Sequence, residues 1–437
     1  MIKFGRSFWW VLAIICVTFF ISRLPATSGN PIFLRLVIVM LIVLVVNFFW
    51  SVFSIIGFDI NRINRVSRKQ VGEVFTENFE VINHSFIPKA WVKISDEADL
   101  PGRSGSRVLT WIGGGRSRIY VADSLLRKRG WFHLGPTQIE TGDVFGLFLF
   151  RKTVKAQRRL LVIPYTFNIQ NFPAPFGILA GGRALRQKTL EVTPYAAGVR
   201  EFVHGDSLKR IHWPTSARKQ KLIVKEFEKD PLAEVWIFID ARDSVHIHSK
   251  NKNRLDLEDF WWLKESKTFE LPPDTEEYAI SIAASIAKYY INQKREVGLA
   301  SSGQDYSILP AERGERQLGK ILEALAVLHV GGEMPLSGLL SSQLARLARG
   351  STLILITPSA DQKILTFLME FIQRGLVPVV ILIDQDSFGG DGNGSELEVG
   401  LSRRGIMTVV VRKGDPINSI FDKPEHIFDE RVMFRGL

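Results

Sequence analysis

Two long apolar runs lie within the first 60 residues of the chain. Phe8–Ser22 contains no charged residue and lies between Arg6 and Arg23, and Leu36–Phe58 is a second run of roughly 23 residues. As an α-helix, the second run would be about 35 Å long, enough to cross a hydrocarbon core of about 30 Å. The first run is shorter and spans only if its flanking arginines reach the interface. We therefore predict a two-helix transmembrane hairpin with basic flanks over residues 1–69.

Basic residues are distributed unevenly around these runs. The outer flanks carry Lys3, Arg6, Arg62, Arg65, Arg68 and Lys69, whereas the connecting loop carries Arg23 and Arg35. Positive charge is retained on the cytoplasmic side of a membrane, so this asymmetry predicts a cytoplasmic N-terminus and cytoplasmic soluble domains on the inner (cell) membrane. If residues 1–28 were instead a cleaved signal peptide, the second run would still deliver the remaining chain to the same side.

Short alternating runs of apolar and polar residues follow the second helix. Ala90–Ile94, Arg118–Val121 and Leu160–Ile163 are examples, and glycine, proline, asparagine and aspartate fall between such runs. This pattern is typical of an antiparallel sandwich. We predict a small Ig-like β-sandwich over residues 70–165.

The pattern changes again in the second half of the chain. Residues 166–232 are a loop-rich connector, and residues 233–415 then alternate apolar strands with amphipathic helices. The predicted strands are 235–239, 297–300, 306–309, 352–356, 377–383 and 407–411, and the predicted helices are 276–293, 317–328, 341–348 and 362–374. Such alternation favours a doubly wound, mostly parallel α/β domain. Residues 249–273 are a polar insertion in it, and residues 416–437 form a C-terminal tail.

Composition excludes several kinds of chemistry. Cys16, the single cysteine, lies in the first apolar run, which excludes an intramolecular disulfide, a cysteine-based zinc site and a thiol nucleophile in the soluble part. The chain has neither a Walker A loop nor a Gly-x-Ser-x-Gly elbow. A net charge of +11 is compatible with anionic partners, but no aromatic-basic motif indicates nucleic acid. We therefore expect a protein that is not an enzyme.

The segment from 198 to 228, GVREFVHGDSLKRIHWPTSARKQKLIVKEFE, is too irregular for ordinary core filling. We call it the signature segment. Its pattern resembles the bacterial domain-of-unknown-function family number fifty-eight. The residues that carry the resemblance are Arg200, Glu201, Gly205, Asp206, Arg210, His212, Trp213, Ser216, Ala217, Arg218 and Glu226.

The resemblance implies an architecture and a partner. Members of this family are membrane-anchored, carry a von Willebrand factor A-like C-terminal domain and have no settled biochemical activity. They are often encoded beside MoxR-type AAA+ ATPases and transglutaminase-like membrane proteins. The resemblance therefore implies a scaffold that docks such an ATPase and other membrane proteins during assembly, maturation or envelope stress work.

The signature segment has two interpretations from its residues. Acidic residues such as Glu201 and Asp206 are interleaved with the basic ones. This favours a salt-bridged clasp that locks the β-sandwich to the α/β domain over an anion-binding or partner-docking surface. Asp206 is a suitable N-cap for a short helix through Ile211, which Pro214 would end or bend. His212 stands without a second histidine at ligand spacing, so we expect it to be structural, although a hydrolase that uses it remains an alternative.

A metal site is the other candidate. The resemblance implies an Asp-x-Ser-x-Ser triad after the first strand of the von Willebrand A-like domain, together with a threonine and an aspartate from later loops. Asp240 and Ser244 match this triad, but Arg242 replaces the middle serine, and Asp243 could take the role of Asp240. Thr357 and Asp361 are the distant candidates. Either the guanidinium substitutes for the metal, or Arg242 turns away and Mg²⁺ binds as in a metal-dependent ligand-binding domain.

Two histidines follow this motif closely. His246 and His248 alternate on a segment that is extended in pattern, and a weak metal site there is one interpretation. A solvated loop is the interpretation that we favour from the sequence. No cofactor other than this candidate Mg²⁺ is expected.

Overall fold

A computed structural model of the chain describes residues 2–24, 31–63, 66–101, 105–155, 158–170, 172, 188–189, 196–203, 206, 211–228, 234–248, 270–390, 392, 394–417 and 420–421. The chain forms two compact units. The first includes residues 1–164, and the second includes residues 165–252 and 271–437.

Two apolar helices begin the first unit. Helix α1 is Arg6–Ser22, and helix α2 is Pro31–Ile55, with 25 residues and a length of about 37 Å. Within the described residues, α2 is long and apolar enough to cross a membrane, whereas α1 is a shorter apolar helix. The predicted end of the second helix at Phe58 is wrong, because Gly57 has a φ of +65° and Phe58 already belongs to a strand.

A short strand precedes α1. Strand β1 is Ile2–Phe4 and pairs antiparallel with strand β10, Phe148–Val154, so that Phe4 lies opposite Phe148. The sequence does not predict β1, because three residues are too few to display an alternating pattern. The residues before α1 therefore belong to the same sheet as residues far beyond α2.

The described residues of the first unit also form three sheets. The five-stranded sheet has the order β1-β10-β9-β5-β6, with β5 Lys89–Asp96, β6 Arg107–Ile112 and β9 Thr137–Gly142. A three-stranded sheet has the order β2-β4-β7, with β2 Phe58–Ile63, β4 Val74–Asn83 and β7 Ser117–Leu125. The other has the order β3-β11-β8, with β3 Arg68–Gln70, β8 Gly130–Leu134 and β11 Arg158–Ile163. Strands β2 and β3 begin before the predicted sandwich boundary at residue 70.

One apolar cluster lies between the first two of these sheets. Strand β4 alternates buried and exposed positions, so that Phe79 and Val81 point inward while their neighbours do not. Val92, Ile94 and Ile139 of the five-stranded sheet pack in the same cluster. Burying an apolar side chain of this size stabilises a fold by about 1.5–3 kcal/mol. The alternating runs therefore form the two layers of a sandwich.

The end of α2 is attached to the sandwich by polar contacts. Ser51 Oγ donates a hydrogen bond to the Phe148 carbonyl oxygen at 2.8 Å. Lys89 Nζ donates to the carbonyl oxygens of Phe53 and Ile56 at 2.8 and 3.3 Å, where α2 has no further amides to pair with. The Lys89 side chain is buried, and this burial lowers its pKa to about 8.

A small sheet and one short helix contain the described part of the signature segment. The strands are β12 Lys188–Thr189, β13 Ala196–Glu201 and β14 Ile223–Glu228, in the order β12-β14-β13, and helix α3 is Trp213–Lys219. Pro214 lies in the first turn of α3 and does not end a helix, because a proline needs no amide partner there. Residues 207–210 of the predicted Asp206 helix lie outside the described residues, and Ile211 forms a β-bridge to Val224.

A six-stranded sheet forms the core of the second unit. Its order is β17-β16-β15-β18-β19-β20. The strands are β15 Val235–Ile239, β16 Val297–Ser302, β17 Tyr306–Glu312, β18 Thr352–Thr357, β19 Val377–Ile383 and β20 Met407–Val411. All pairs are parallel except that of the edge strand β17. The predicted mixed α/β class is confirmed.

Among the described residues, the helices that accompany this sheet are α4 Thr275–Asn292, α5 Glu315–Val327, α6 Leu336–Gln343, α7 Lys363–Gln373 and α8 Gly394–Arg403. Every residue of β15 and β18 is buried, as expected for central strands that are covered on both faces. The helix predicted over residues 341–348 is wrong: Pro335 sets an earlier start for α6, and a 3₁₀ turn, Leu344–Arg346, follows it.

Candidate binding site at the carboxyl edge of the α/β sheet

Asp240 and Thr357 lie at the same edge of the six-stranded sheet. Asp240 directly follows β15, and Thr357 is the last residue of the neighbouring strand β18. The two strands are parallel, with Ile239 opposite Ile356, so their carboxyl ends meet. Open α/β sheets bind ligands at this edge, where the strand order reverses.

A buried carboxylate organises this edge. Asp240 Oδ1 accepts a hydrogen bond from Arg242 Nε at 3.1 Å, and Oδ2 accepts one from Arg242 Nη2 at 3.1 Å. Thr357 Oγ1 also donates to Oδ2, at 2.9 Å. The carboxylate is fully buried, whereas 18% of the Arg242 side chain is exposed. The Asp240–Arg242 pair therefore fixes a guanidinium that a ligand can still reach.

Arg242 is a permanent cation. Burial lowers its pKa, but the hydrogen bond and charge of Asp240, together with the charge of Asp361, outweigh burial and raise the pKa above its ordinary value. The bidentate pairing uses Nε and Nη2, and a guanidinium carries further N–H donors. Those donors suit a carboxylate or a phosphate oxygen.

A shallow cleft surrounds the pair. Its walls include the apolar residues Pro335, Leu336 and Ile364 and the polar residues Ser337, Ser359 and Asp361. The Ser359 amide donates to Thr357 Oγ1 at 2.9 Å, which orients the threonine hydroxyl toward Asp240. Asp361 Oδ1 accepts from the Lys363 amide at 2.9 Å, at the beginning of α7. The cleft thus combines one fixed cation with a small apolar wall.

Sequence reasoning does not find the wall formed by Pro335 and Leu336. A β-bridge between Arg242 and Gly332 brings this segment beside the pair. The amides of Gly331 and Gly332 also donate to the Ala241 carbonyl oxygen, at 3.1 and 3.3 Å. The sequence carries only a weak signal of this contact, because a single β-bridge leaves no alternating pattern of apolar and polar residues.

Among the predicted metal ligands, the structure brings Asp240 and Thr357 into direct contact. Asp240 and Thr357 are hydrogen-bonded to each other, whereas Ser244 lies exposed in the 3₁₀ turn Asp243–Val245. Both Asp240 oxygens accept hydrogen bonds from Arg242, so Mg²⁺ at this position would require the guanidinium to move. The Mg²⁺ hypothesis stays a prediction.

His246 is buried, and the solvated loop predicted for it is wrong. Its Nε2 donates to the Asp240 carbonyl oxygen at 2.8 Å, and its Nδ1 lies 3.1 Å from Thr275 Oγ1. Burial lowers the pKa of His246, against the hydrogen bond to Asp240. In the neutral tautomer that donates from Nε2, Nδ1 accepts from the threonine hydroxyl. The loop after β15 is thereby fixed to the first turn of α4.

Ion pairs occur in the signature segment. Arg200 donates to both carboxylate oxygens of Asp206, at 2.7 and 2.6 Å, and to the Glu201 carbonyl oxygen at 2.9 Å. Lys221 Nζ lies 3.2 Å from Glu201 Oε1, with both side chains exposed. A bidentate arginine–carboxylate pair is a strong contact, whereas an exposed lysine pair contributes little. These ion pairs join residues of the signature segment to each other, so the clasp stays a prediction.

His212 and Ser216 join α3 to β14. The Thr215 amide donates to His212 Nδ1 at 3.3 Å, and Thr215 Oγ1 lies 2.7 Å from the same atom. Ser216 Oγ accepts from the Ile223 amide at 2.9 Å and donates to the His212 carbonyl oxygen at 3.1 Å. His212 is therefore the N-cap of α3, and the hydrolase that would use it stays an alternative prediction.

Where the structure describes them, the remaining signature residues lie on α3 and β14. Trp213, Ala217 and Arg218 are exposed on α3, and Glu226 lies in β14 opposite Gly198. Leu222 is exposed, whereas Ile223 and Val224 are buried. Gly205 and Arg210 lie outside the described residues.

The fold and the site define a mixed α/β protein with an N-terminal apolar helix and a charged pair at its sheet edge. Residues 198–258 match the family described as Protein of unknown function DUF58. The uncharacterized protein YeaD of Bacillus subtilis (strain 168) is 25% identical over 264 residues, which cover 59% of this chain and 58% of YeaD. The match thus spans less than two thirds of that relative.

Two solved structures resemble parts of the chain. The CARDB domain of a Pyrococcus furiosus protein, solved in complex with di-metal ions, is 9% identical with a TM-score of 0.17, covering 24% of this chain and 86% of that chain. A FixG-related protein from Vibrio parahaemolyticus is 13% identical with a TM-score of 0.16, covering 24% of this chain and 94% of that chain.

Proposed function

We propose that this chain is a non-enzymatic, membrane-tethered protein whose α/β unit binds a partner protein at the carboxyl edge of its sheet. The observation that carries the proposal is the Asp240–Arg242 pair. A guanidinium held on a buried carboxylate is pre-organised, so little conformational entropy is lost when a partner binds it.

The proposal includes a von Willebrand A-like identity for the second unit. The strand order with its antiparallel edge strand supports this identity, as do the positions of Asp240 and Thr357. In this interpretation the Arg242 guanidinium takes the place of a metal ion and contacts an acidic side chain of the partner. Arginine binds a carboxylate in a planar, bidentate manner, which gives specificity as well as affinity.

The partner that we propose is a MoxR-type AAA+ ATPase, and other membrane proteins are further candidates. The resemblance of the signature segment to family number fifty-eight and the match of residues 198–258 to that family support this choice. Docking near the membrane would serve assembly, maturation or envelope stress work.

Capture of the ATPase tests the docking proposal. The full chain in nanodiscs is immobilised and exposed to a purified MoxR-type ATPase from the same organism, with ATP, with ADP and without nucleotide. We expect nucleotide-dependent binding that Arg242→Ala weakens by about tenfold or more, because a desolvated charge contact is lost. Arg349→Ala, on an exposed turn of the same unit, is the matched control. Equal binding by wild type and Arg242→Ala, or none in any nucleotide state, would rule the proposal out.

We propose further that α1 and α2 form a transmembrane hairpin and leave both soluble parts in the cytoplasm. The apolar length of α2 supports the span. The pairing of β1 with β10 supports the hairpin, because it holds the chain before α1 beside the chain after α2.

Protease protection tests this orientation. With an epitope tag after Leu437, trypsin added to intact spheroplasts is expected to leave the tag intact, whereas trypsin added to inverted membrane vesicles removes it. The physical reason is the distribution of basic flanks. A periplasmic marker protein serves as the control for protease access. Loss of the tag from intact spheroplasts would reverse the proposed topology.

A further inference from the structure

A second polar cluster lies near the beginning of α4. His248 comes from the loop after β15, and Asp274 and Glu276 come from the residue before α4 and its first turn. One potential ligand atom from each residue lies within 4.8 Å of the other two. We call these three residues the histidine–carboxylate cluster.

The distances in the histidine–carboxylate cluster fit a metal ion. His248 Nδ1 lies 3.3 Å from Asp274 Oδ2 and 4.0 Å from Glu276 Oε2. Zinc at about 2.0–2.1 Å from nitrogen and oxygen ligands in a tetrahedron separates those ligands by about 3.3 Å. The first distance already has this value, and a small rotation of the Glu276 side chain would shorten the second.

The other polar atoms of these residues have partners of their own. Asp274 Oδ1 accepts from the Glu276 amide at 3.1 Å as the N-cap of α4, while Oδ2 faces His248. His248 Nε2 lies 3.5 Å from Asp243 Oδ1, and Glu276 Oε1 lies 3.5 Å from His329 Nδ1. A carboxylate on the far nitrogen of a histidine is the usual support of a metal-bound imidazole, because it fixes the tautomer and ring orientation.

Charge at this position also favours a cation. The N-terminus of a helix carries about half a positive charge, which opposes metal binding. Two carboxylates, each mostly buried, supply two negative charges and outweigh it. About one third (34%) of the His248 side chain is exposed, so an ion can enter from solvent.

We propose that His248, Asp274 and Glu276 bind a divalent transition metal, Zn²⁺ by preference, with a water molecule as the fourth ligand. Mixed imidazole and carboxylate ligands in a tetrahedron select zinc over the harder Mg²⁺ and Ca²⁺. Asp243 and His329 position the ligands. This site does not use Asp240, Ser244 or Thr357, and it stands whether or not the Asp240–Arg242 pair docks a partner.

The metal would join two distant points of the chain. His248 and Asp274 are 26 positions apart and flank the insertion 249–273. A metal bound to both residues would close the base of that insertion and fix the loop after β15 to α4. Binding is therefore expected to raise the thermal stability of the second unit, since an ion that binds the folded state alone stabilises it.

Metal titration of the full chain in nanodiscs tests the site, with a tag that lacks histidine. Co²⁺ is expected to bind in a 1:1 ratio and to produce tetrahedral absorption bands in the visible range, which Zn²⁺ then removes. His248→Asn is expected to weaken Zn²⁺ binding by about a hundredfold or more, and His329→Asn by about tenfold, as for residues that only support a ligand. His84→Asn, on an exposed turn of the first unit, is the histidine control.

Two further variants keep the result decisive if one protein fails to fold. Glu276→Gln retains the shape of the side chain but removes its charge, and far-UV circular dichroism checks that each variant is folded. Glu323→Gln, exposed on α5, is its control. Absence of Co²⁺ bands, or equal Zn²⁺ affinity in wild type, His248→Asn and Glu276→Gln, would overturn the site and leave a hydrogen-bonded cluster of histidine and carboxylates.

Discussion

Arg62→Ala is expected to lower the free energy of unfolding of the first unit by about 3–5 kcal/mol. Arg62 donates to Glu77 Oε1 at 3.3 Å, to Asp96 Oδ1, and to Thr137 Oγ1 at 3.0 Å. Its guanidinium also lies 4.8 Å from the centre of the Phe79 ring. Both carboxylates are buried in the sandwich, so removing the arginine leaves two buried charges without their cation.

The stability that Arg62→Ala loses should depend on pH. Burial raises the pKa of Glu77 above its ordinary value of 4.5, although the charge of Arg62 opposes this effect. A group whose folded pKa is raised contributes stability below its unfolded pKa and loses that contribution as the pH rises through the folded pKa. Without Arg62 the folded pKa rises further. The deficit of Arg62→Ala is therefore expected to be largest near neutral pH and smaller below about pH 4.5.

Urea unfolding of the full chain, followed by tryptophan fluorescence, measures this effect. Arg118→Ala, on an exposed position of β7, is the matched control and should stay within about 0.5 kcal/mol of wild type. A variant that combines Arg62→Met, Glu77→Gln and Asp96→Asn should lose less than Arg62→Ala, because it retains no buried charge. If Arg62→Ala cost under about 1 kcal/mol, the buried ion pairs would not carry the stability assigned to them.

Arg242→Ser is expected to create Mg²⁺ and Mn²⁺ binding with a dissociation constant below about 1 mM, at least tenfold tighter than wild type. The substitution removes the guanidinium from Asp240 and restores the serine that the Asp-x-Ser-x-Ser triad requires. Asp240 and Thr357 already lie together, with 2.9 Å between Oδ2 and Oγ1. A hard cation could then bind the Asp240 carboxylate, whose negative charge Arg242 now neutralises.

Isothermal titration calorimetry checks this expectation. Both proteins should carry His248→Asn, so that the histidine–carboxylate cluster does not contribute to the heat. Arg242→Ala separates removal of the cation from gain of the hydroxyl, and adding Asp240→Ala to Arg242→Ser should abolish binding. If Arg242→Ser bound Mg²⁺ no better than wild type, the guanidinium would not occupy the place of a metal.

The sequence predicts best the elements whose residues are buried on all sides. Val235–Ile239 and Val377–Ile383 are inner strands of the six-stranded sheet, and the sequence predicts both with the observed bounds. Central parallel strands are continuous apolar runs, and the polar residues beside them mark their ends. The burial that forms these strands is therefore visible in their composition.

Features that depend on contacts between residues far apart in the chain are not visible in the local composition. β1 exists because Ile2–Phe4 meets β10, and the burial of His246 depends on Thr275. At the candidate site, the sequence shows opposite charges at Asp240 and Arg242 but not whether the guanidinium turns inward. The histidine–carboxylate cluster is still harder to predict from the sequence, because the insertion 249–273 separates His248 from Asp274.

The junction between α2 and the sandwich has a mechanical consequence. Only Ile56 and Gly57 separate α2 from β2, and Lys89 holds the last carbonyl oxygens of the helix. A flexible linker would let the sandwich rotate relative to α2, whereas this short connection restricts that rotation. If the bilayer tilts α2, the β-strands are therefore expected to rotate together with the helix as one rigid body.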